Sequence, residues 1–564
     1  MSKVTLKVDG LRCEMSNGIL SLVWKEDASL ESLKKDGVEL IAELSGTSKD
    51  SNAKRTFYVD YHAIAKFRKM HVSRLDVIEQ TEDTVHISYV DTQGLLYIEY
   101  HIILKAGESG FYSYVIGANQ TDSELDLAEF RCVYRFGNRI FDHACTSERI
   151  GLQPTHKYME QFECLQDETY RLPDGEKYTN GDVYSKYDYA GYFGNNPAWG
   201  HFGHGFGFFV IPVSTEYYPG GPMKQELLVH YDGIVLNYFT GSHFGTGSFH
   251  VPVGWKKFYG PFYLYINSGD DGEELYKDAL KKAEEEKKKW PYSWVEHPLY
   301  PINRSEVTGT LTFSNGVPCT NTTVILCKSG RCIDQQSSDY IFYSTTDHKG
   351  KFSIPNVRFD DYLLYAYQTG GSIVEELSIP DIHINSSCTD LGNLSFPLSN
   401  KKLVWQLGKA TRTCEGFKYA GELRNYKWLQ KTPANLDFTI GVDKEQEDWY
   451  FAQVAPGRWN IHFTMDEVPT STYHLTIALA GICKNNMTAK AEPYFPVYLN
   501  DTLIKEAVLI NDSSVYRSAT KNGRYRKISI SIPSTLLKQG KNTISFINDS
   551  YMAMYDTVLF EQEV

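Results

Sequence analysis

Alternating apolar and polar residues fill the chain from Lys3 to about Val253. The segments TLKVDGL, GILSLVW, TVHISYV and LLYIEYHIIL show this pattern, and turns rich in Gly, Asn and Asp separate them. Alternation with a period of two, together with many β-branched and aromatic residues, predicts antiparallel strands. A segment of this length with strands throughout predicts a large two-layer β-sandwich.

The pattern changes to a helical period in SGDDGEELYKDALKKAEEEKKKWPY. Apolar residues that begin with Leu275 recur there on one stripe, as on a helix that packs against a core. Asp270 and Glu273 have the spacing of a capping box, and the proline after the lysine run ends the pattern. We therefore expect a helix over 271–290 that closes a first domain of residues 1–302.

Two further β units follow this helix. Residues 303–398 contain VTGTLTF, TTVILCKSG and KFSIPNV, which predict a sandwich of fibronectin type III-like size. Residues 399–564 contain LVWQLGK, RWNIHFTM and YHLTIALAG, which suit a jelly-roll. The predicted fold class is thus all-β, with three domains. Trp449, Trp459 and Tyr525 of the last domain are expected either to face a sugar or to lie in the core.

Composition narrows the choice of partners. The net charge of -13 argues against nucleic acid and against an anionic membrane surface, and no run of 18 apolar residues is present. The 40 Tyr and 9 Trp suit stacking on sugar rings, although strand packing also favours aromatic residues. Ten Cys without a CxxC pair do not indicate a zinc ribbon. A bridge among Cys319, Cys327 and Cys332 and free thiols are equal alternatives.

Candidate chemistry concentrates between Gly181 and Thr246, where Gly, aromatic residues and His are dense. Lys186 lies in VYSKYDYA and His243 in FTGSHFG. Aromatic surroundings desolvate a lysine, so we expect the pKa of Lys186 to be lowered toward neutrality, as a general base requires. On the pattern alone, a surface lysine and a structural histidine are the competing interpretations.

The chain resembles the rhamnogalacturonan lyases, family 4 of the polysaccharide lyases. GGPMKQEL (Gly220–Leu227), LNYFTGSHFGTG and VGWKKFYGPFYLYINSG (Val253–Gly269) carry the resemblance in the first domain. TTDHKGKFSIPNV carries it in the second domain, and WQLGK, DWYFAQV, LLKQGKNTISF and MYDTVLFE carry it in the third. The resemblance covers nearly the whole chain. It implies a β-sandwich catalytic domain, a fibronectin type III-like domain and a jelly-roll that is similar to carbohydrate-binding modules.

The resemblance also implies the reaction. It is β-elimination at the rhamnose–galacturonate bond of the rhamnogalacturonan I backbone of pectin, which leaves a 4,5-unsaturated uronate. Elimination beside a carboxylate needs a cation for the carboxylate, a base for the C5 proton and an acid for the leaving oxygen. By resemblance Lys186 and His243 are the catalytic pair; we assign Lys186 as the base and His243 as the acid, with the direction open.

Arginines of the motif FRCVYRF match a family pair that holds the uronate. Arg131 and Arg135 are four residues apart, which places both on one face of an extended strand. A guanidinium fork fits a carboxylate with two hydrogen bonds. Two positive charges nearby are expected to lower the pKa of Lys186 further.

Four other residues are candidates for contact with the substrate. Tyr238 fits a substrate-contacting tyrosine, although Leu236 stands where some members have a second one. Lys224 is a candidate for uronate binding and Trp199 for sugar stacking, and a turn lysine and a core tryptophan are their alternatives. Arg517 falls near a third-domain arginine that reaches the substrate in some members.

No cofactor is expected to be required for catalysis, since Lys and Arg supply the positive charge; a structural calcium is left open. We expect a monomer that binds rhamnogalacturonan I polysaccharide or oligosaccharides. The start MSKVTLKVDGLRCEM has no signal-peptide core. An extracellular site after removal of a leader, and a cytoplasmic site supplied with imported oligosaccharides, are therefore both considered, with the first preferred.

Two rival functions remain on the same scaffold. A glycoside hydrolase needs two carboxylic acids that face each other, and Asp182 and Asp188 flank Lys186 without an evident pairing. A non-catalytic pectin-binding protein is the other rival. The joint presence of the two candidate catalytic residues and the two arginines argues against it.

Overall fold

The fold is all-β, as the alternating pattern predicts. The computed structural model describes residues 3–42, 44, 55–137, 140–178, 183–241, 243–245, 249–330, 333–422, 431–484, 492–517, 519 and 521–564. Asp182 and Cys332 lie outside these residues. Every cysteine within them is a free thiol, which includes Cys319 and Cys327. Among the same residues, no helix has the length and apolar character needed to cross a membrane.

The first domain is a sandwich of large antiparallel sheets. Its strands are β1 (Thr5–Asp9), β2 (Arg12–Ser16), β3 (Leu20–Trp24), β4 (Leu30–Lys35), β5 (Val38–Glu39), β6 (Tyr58–Ala63), β7 (Lys66–Lys69), β8 (Arg74–Gln80), β9 (Thr84–Asp91), β10 (Leu96–Lys105), β11 (Gly110–Asn119), β12 (Leu125–Arg135), β13 (His143–Cys145), β14 (Ile150–Leu152), β15 (Glu163–Gln166), β16 (Thr169–Arg171), β17 (Val183–Ser185), β18 (Ala190–Tyr192), β19 (Trp199–Gly203), β20 (Phe206–Ile211), β21 (Gln225–Leu227), β22 (Val229–His230), β23 (Ile234–Thr240), β24 (Phe249–Val251) and β25 (Lys256–Ser268).

Two of its sheets define the sandwich. As far as the chain is described, one has nine strands in the order β14-β13-β19-β20-β25-β11-β10-β9-β8, and the other has the order β22-β23-β12-β6-β7 with β24 beside β12. Strands β1 to β5 form a sheet of their own. Along β3, buried and half-buried residues alternate, which is the pleat that the sequence predicts. Aromatic side chains such as Trp24, Tyr100 and Phe208 fill the core between the layers.

The predicted helix is present as α2 (Gly272–Lys289), after the short helix α1 (His156–Met159). Its buried side includes Leu275 and packs on β20 and β25. The predicted cap is wrong by one residue. Asp271, not Asp270, has the extended backbone that precedes the helix, and its side chain accepts from the N–H groups of Glu273 and Glu274.

The second domain has two facing sheets. Its strands are β26 (Ser305–Phe313), β27 (Thr322–Cys327), β28 (Phe342–Thr345), β29 (Lys351–Val357), β30 (Asp360–Gln368), β31 (Glu376–Ile384) and β32 (Cys388–Phe396). In the described chain the sheets have the orders β29-β26-β32 and β28-β27-β30-β31. Their inner faces enclose one apolar core, which agrees with the fibronectin type III-like prediction.

The third domain also has two sheets. Its strands are β33 (Lys402–Gly408), β34 (Leu436–Thr439), β35 (Ala452–Gln453), β36 (Gly457–Met465), β37 (Thr472–Lys484), β38 (Tyr494–Leu499), β39 (Thr502–Val508), β40 (Arg526–Pro533), β41 (Gly540–Asn548) and β42 (Tyr551–Gln562), and Glu445–Asp448 is a helical turn. The sheet orders are β33-β42-β37-β40, with β35 beside β42, and β34-β36-β41-β38-β39. The predicted domain limits at 302/303 and 398/399 stay predictions.

Candidate active site

Six of the eight candidate residues line one cleft of about 400 Å³ on the first domain. They are Arg131, Arg135, Lys186, Tyr238, His243 and Arg517. The last of these belongs to the third domain, so the cleft is built by two domains. Residues that are far apart in the chain thus meet in one cleft. Lys224 and Trp199 are absent from the lining of this cleft.

Strands β12 and β23 supply the floor of the cleft. Arg131 of β12 lies opposite Tyr238 of β23 on one side and opposite Asp60 of β6 on the other. Its Nη1 donates to the Tyr238 hydroxyl at 2.7 Å, and its Nε donates to Asp60 Oδ1 at 2.8 Å. Nη1 also lies 3.2 Å from Glu129 Oε2. These contacts fix the guanidinium in one plane at the base of the cleft.

Arg135 follows on the same face of β12, as its spacing predicts. Its Nε donates to the hydroxyl of Tyr58 at 3.1 Å, and both arginines line the cleft. Burial alone would lower the pKa of Arg131, but Asp60 and the other neighbours outweigh burial and hold that pKa well above its usual value. The Arg131 guanidinium is therefore a fixed positive charge.

Lys186 opens a short 3-10 turn, Lys186–Tyr189, directly after β17. Its Nζ lies 2.8 Å from Glu168 Oε1 and 3.0 Å from Asp167 Oδ1. Burial alone would lower its pKa, but Glu168 and Asp167 outweigh burial and raise the pKa above the usual value. The prediction of a lowered pKa for Lys186 is therefore wrong. That prediction took account of the aromatic and arginine neighbours of Lys186. The direction of the pKa shift is instead decided by two carboxylates, which the sequence does not show to be neighbours.

Asp167 joins the two domains at the cleft. Besides Lys186, its carboxylate accepts from the Tyr187 hydroxyl at 2.7 Å and from Arg517 Nε at 3.1 Å. Burial would raise the pKa of Asp167, but the Lys186 charge and the Tyr187 hydrogen bond lead the effects that lower it. Arg517 thus reaches the cleft through the same carboxylate that holds Lys186.

His243 stands at the other side of Tyr187, and the two ring centroids are 5.6 Å apart. Its Nδ1 lies 2.6 Å from Oε1 of Glu226, a carboxylate that is fully buried. Burial would raise the pKa of Glu226, but His243 and Lys224 outweigh it, and the pKa is lowered to about 2. His243 Nε2 lies 3.8 Å from Glu129 Oε1, at the cleft. The imidazole is therefore oriented by a permanent negative charge behind it.

Lys224 is buried and lies outside the lining of the cleft, which favours the turn-lysine alternative over uronate binding. Its side chain is 2% exposed, and its Nζ lies 3.2 Å from Glu226 Oε2. The same Nζ donates to the carbonyl oxygens of Gly241 and Phe244 at 3.2 and 3.0 Å. The ammonium therefore clamps the loop that carries His243, on the side away from the cleft.

The tryptophans that the sequence left open between sugar stacking and the core are core residues. Trp199 is fully buried in β19, and its Nε1 donates to the carbonyl of Leu236 at 2.9 Å. Trp449 and Trp459 are also fully buried and pack edge to face, 5.0 Å apart. The third candidate of this domain, Tyr525, is half-buried. A ring without an accessible face offers nothing for a sugar to stack on.

The structure adds five carboxylates that sequence reasoning missed. Asp60, Glu129, Asp167, Glu168 and Glu226 each contact a predicted cation of the cleft. Glu129 lies two residues before Arg131 on the same strand, β12. The other four come from a different strand or loop than their partners, so no local spacing marks them. The nearest signal is Glu226 itself, which lies in GGPMKQEL, one of the motifs that carry the resemblance.

Of the two acids that flank Lys186 in the hydrolase alternative, Asp188 is the described one. Asp188 is buried and its Oδ2 lies 2.9 Å from Arg149 Nη1; burial leads the effects on its pKa and raises it. Asp188 does not line the cleft, and Asp182 lies outside the described residues. Of the carboxylates that line the cleft, Glu129, Asp167 and Glu168 pair with Arg131 or Lys186, and Asp232 accepts from the backbone N–H of His156. The three paired carboxylates are not arranged as an acid facing a nucleophile.

Known proteins show the same three-domain order. The rhamnogalacturonate lyase family model matches residues 1–161, and the models of polysaccharide lyase family 4 domains II and III match residues 304–390 and 403–560. A rhamnogalacturonate lyase of Dickeya dadantii (strain 3937) is 40% identical over 557 residues, which cover 98% of this chain and 94% of that protein.

Fungal relatives are more distant. A probable rhamnogalacturonate lyase B of Aspergillus niger is 24% identical and covers 78% of this chain and 72% of its own. Rhamnogalacturonate lyase B of Emericella nidulans is 24% identical, with coverages of 78% and 76%. The β-sandwich, the cleft that holds Lys186, His243 and the arginines, and these matches together define a polysaccharide lyase. The chain belongs to the rhamnogalacturonate lyase family.

Proposed function

We propose that the protein cleaves the rhamnose-α-1,4-galacturonate bond of the rhamnogalacturonan I backbone by β-elimination. The observation that carries this proposal is the pairing of a charged lysine and a carboxylate-backed histidine in one cleft with two arginines. The relatives that cover nearly the whole chain are named rhamnogalacturonate lyases, which supports the substrate class. The product would carry a double bond between C4 and C5 of the new terminal uronate.

His243 is the proposed base. His243 Nδ1 lies 2.6 Å from Glu226 Oε1, so we propose that the neutral imidazole carries its proton on Nδ1 and keeps its lone pair on Nε2, on the side of the cleft. The imidazolium that forms when Nε2 takes the C5 proton would be stabilised by the negative charge of Glu226. A buried carboxylate with a pKa of about 2 is ionised at neutral pH.

Lys186 is the proposed acid. Because Glu168 and Asp167 raise its pKa despite burial, its ammonium is charged near neutral pH and holds a proton to give. In the step we propose, the C5–H bond breaks toward His243 Nε2 and its electron pair moves onto the uronate carboxylate. That pair then forms the C4–C5 double bond as the C4–O bond breaks, and the leaving oxygen takes a proton from Lys186 Nζ. This direction is the reverse of the first assignment from sequence.

Arg131 and Arg135 are the proposed partners of the uronate carboxylate. Loss of the C5 proton places negative charge on that group, and fixed cations favour the charge where it develops. The negative residues around Arg131 hold its plane, so little reorganisation is needed on binding. Since these guanidiniums supply the charge, we propose that turnover requires no metal. Activity that persists after chelation would agree, and full loss restored by a divalent cation would contradict this.

One experiment tests both the reaction and the roles. Rhamnogalacturonan I oligosaccharides are incubated with the protein, and the ultraviolet absorbance of the conjugated product is followed. A rise shows elimination, whereas new reducing ends without a rise would show hydrolysis and overturn the proposal. A second substrate carries a 4-nitrophenolate leaving group at C4, which departs without a proton.

The two variants should then separate on the second substrate. Lys186→Ala should lose at least ~10²-fold in kcat on the oligosaccharide, as is usual for removal of a general acid, and recover most of it with 4-nitrophenolate. His243→Ala should be equally poor on both substrates, because the C5 proton must still be removed. Recovery by His243→Ala instead would restore the opposite assignment.

The remaining properties are proposals as well. We propose that the protein acts as a monomer on the polysaccharide or its oligosaccharides outside the cell, because a polymer of this kind is too large to import. Light scattering of the full chain tests the first statement. Cell fractionation with an antibody tests the second, and a purely cytoplasmic pool would favour the alternative of imported oligosaccharides.

A further inference from the structure

A second and larger cavity, of about 780 Å³, lies where the three domains meet. We call it the junction cavity; its walls include Met223 of the first domain, Ile325 of the second and Tyr525 of the third. Its volume falls in the range of small-molecule and oligosaccharide sites. Phe244, next to His243, forms part of its wall, so one loop separates it from the catalytic cleft.

The junction cavity is positively charged in a protein that is negative overall. Five cations of the described chain line it, Lys224, Arg412, Arg524, Arg526 and Lys527, against the two carboxylates Asp334 and Glu376. The whole chain carries a net charge of -13. A cavity with a surplus of positive charge in such a chain favours an anionic ligand.

The surplus is sharpest at Arg524 and Arg526. Both contact a single carboxylate oxygen of Asp334, and Arg526 Nη1 does so at 3.5 Å. Arg526 Nη2 is buried and finds no acceptor among the described residues. Burial and the charge of Arg524 lower the pKa of Arg526. A buried donor without an acceptor is costly, so a ligand oxygen that reached it would be held firmly.

The opposite wall is aromatic and apolar. The guanidinium of Arg412 lies 3.7 Å from the Tyr367 ring centroid and 4.4 Å from that of Tyr525, and it pairs with Glu376. Ile325 and Ile333 adjoin this wall. Such a surface suits a ligand that combines one carboxylate with an apolar face.

The segment that carries Arg524 and Arg526 is held rigidly. Gln225 Nε2 donates to the carbonyl of Asn522 at 2.6 Å, which fixes the third domain on the first. The Arg524 N–H donates to Asp512 Oδ2 at 2.9 Å. A Cβ added at Gly245 would lie 3.0 Å from Arg524 N, so the loop of His243 packs directly on this segment. A site on fixed backbone needs little ordering when a ligand binds.

We propose that the junction cavity is a second carbohydrate site, which binds an oligosaccharide that carries a uronate carboxylate at Arg526. A 6-deoxy sugar beside the uronate would present its methyl group to the apolar wall. This inference rests on the proposed substrate class, since alternating rhamnose and galacturonate offers both features. It adds a site that is separate from the catalytic cleft.

The test uses the full chain with Lys186→Ala, so that the oligosaccharide stays intact during calorimetry. A rhamnogalacturonan I oligosaccharide should show two binding events. Adding Arg526→Ala should weaken one event at least ~10-fold, the size of one charge-assisted hydrogen bond, and spare the other. Adding Arg131→Ala instead should weaken binding at the catalytic cleft and spare binding at the junction cavity. A single event that Arg526→Ala leaves unchanged would overturn the inference.

Matched controls exclude unfolding and unspecific anion binding. Asp334→Asn removes the carboxylate that both arginines contact and should tighten the cavity event, a change of sign that damage to the fold does not produce. An oligosaccharide whose carboxylates are reduced to alcohols should not bind there. Displacement of the intact oligosaccharide by an equal concentration of inorganic phosphate would show a mere anion site and would also overturn the inference.

Lyase activity of the wild-type chain is measured in parallel, by ultraviolet absorbance. If the protein is an active lyase but no binding event depends on Arg526, the proposed function stands and the second site is refuted. If a binding event depends on Arg526 but no lyase activity is found, the second site stands and the proposed function is refuted. The Arg526→Ala chain should keep the wild-type kcat on short oligosaccharides, because Arg526 does not line the catalytic cleft.

Discussion

Nδ1 of His243 lies 2.6 Å from Oε1 of Glu226, and Glu226 is fully buried. The same carboxylate lies 3.2 Å from the ammonium of Lys224, which in turn binds two carbonyls of the loop around His243. One buried acid therefore sets both the orientation of the imidazole and the position of its loop. Glu226 is a positioning residue, and its effect should be visible in kcat.

Replacement of Glu226 tests this relationship. Glu226→Gln keeps the shape but carries no charge to stabilise the imidazolium, so kcat should fall by ~10²-fold or more while KM changes little. Glu226→Asp should keep a large part of the activity. Steady-state kinetics on rhamnogalacturonan I oligosaccharides measure both variants, with circular dichroism as the control of folding. Equal kcat for Glu226→Gln and wild type would remove Glu226 from the mechanism.

Much of this arrangement could be predicted from sequence, and the reason is periodicity. Alternation predicts the strands, and the spacing of Arg131 and Arg135 correctly places both on one face of β12. The resemblance to the lyase family, which short motifs carry, then predicts that Lys186 and His243 share one site. These are properties of short segments, which the local sequence determines.

The missing part concerns contacts between segments that are far apart in the chain. The sign of the pKa shift of Lys186 depends on Asp167 and Glu168, which come from another turn. Trp199 looks like a sugar platform in a Gly-rich stretch, but its depth depends on strands that pack from both sides. The burial of Trp199 and the balance of charges around Lys186 depend on the tertiary structure. The order of residues along the chain does not show which segments pack together.

The carboxylate partners of Lys186 should determine the alkaline limit of activity. As the proposed acid, Lys186 must be protonated, so activity is lost as the pH rises through its pKa. Asp167 and Glu168 raise that pKa. Asp167→Asn removes one of these charges and should move the alkaline limb of the pH–kcat profile to lower pH.

The matched control for this profile is a change at the surface. Lys277→Met alters an exposed ion pair of α2 and should leave the profile unchanged. A shift of the alkaline limb to higher pH in Asp167→Asn would contradict the assignment of Lys186 as the acid.

Arg131 is expected to serve both the substrate and the fold. Arg131→Ala removes a cation from the uronate site, so kcat/KM should fall by at least ~10²-fold. It also leaves the buried carboxylate of Asp60 without this partner, and loss of one member of a buried pair costs about 3–5 kcal/mol. Urea unfolding and kinetics of the same preparations separate the two effects.

A double variant gives the control for Arg131. Arg131→Ala with Asp60→Asn removes the buried charge that Arg131 paired and should recover a large part of the unfolding free energy without recovering kcat/KM. Parallel recovery of both quantities would show that Arg131 acts on the fold alone.

Lys257, at the contact between the first two domains, should make the free energy of unfolding depend on pH. Its Nζ is fully buried and donates to the carbonyls of Ser337 and Asp339 at 2.7 Å each. Burial lowers its pKa from 10.5 to about 7. Between these values the unfolded chain binds more protons than the folded one, so this group makes stability rise as the pH increases from 7 toward 10.5. Lys257→Met should flatten that part of the profile relative to wild type in urea unfolding at pH ~7 and ~9.5. Parallel profiles for the two proteins would show that Lys257 does not titrate with a lowered pKa.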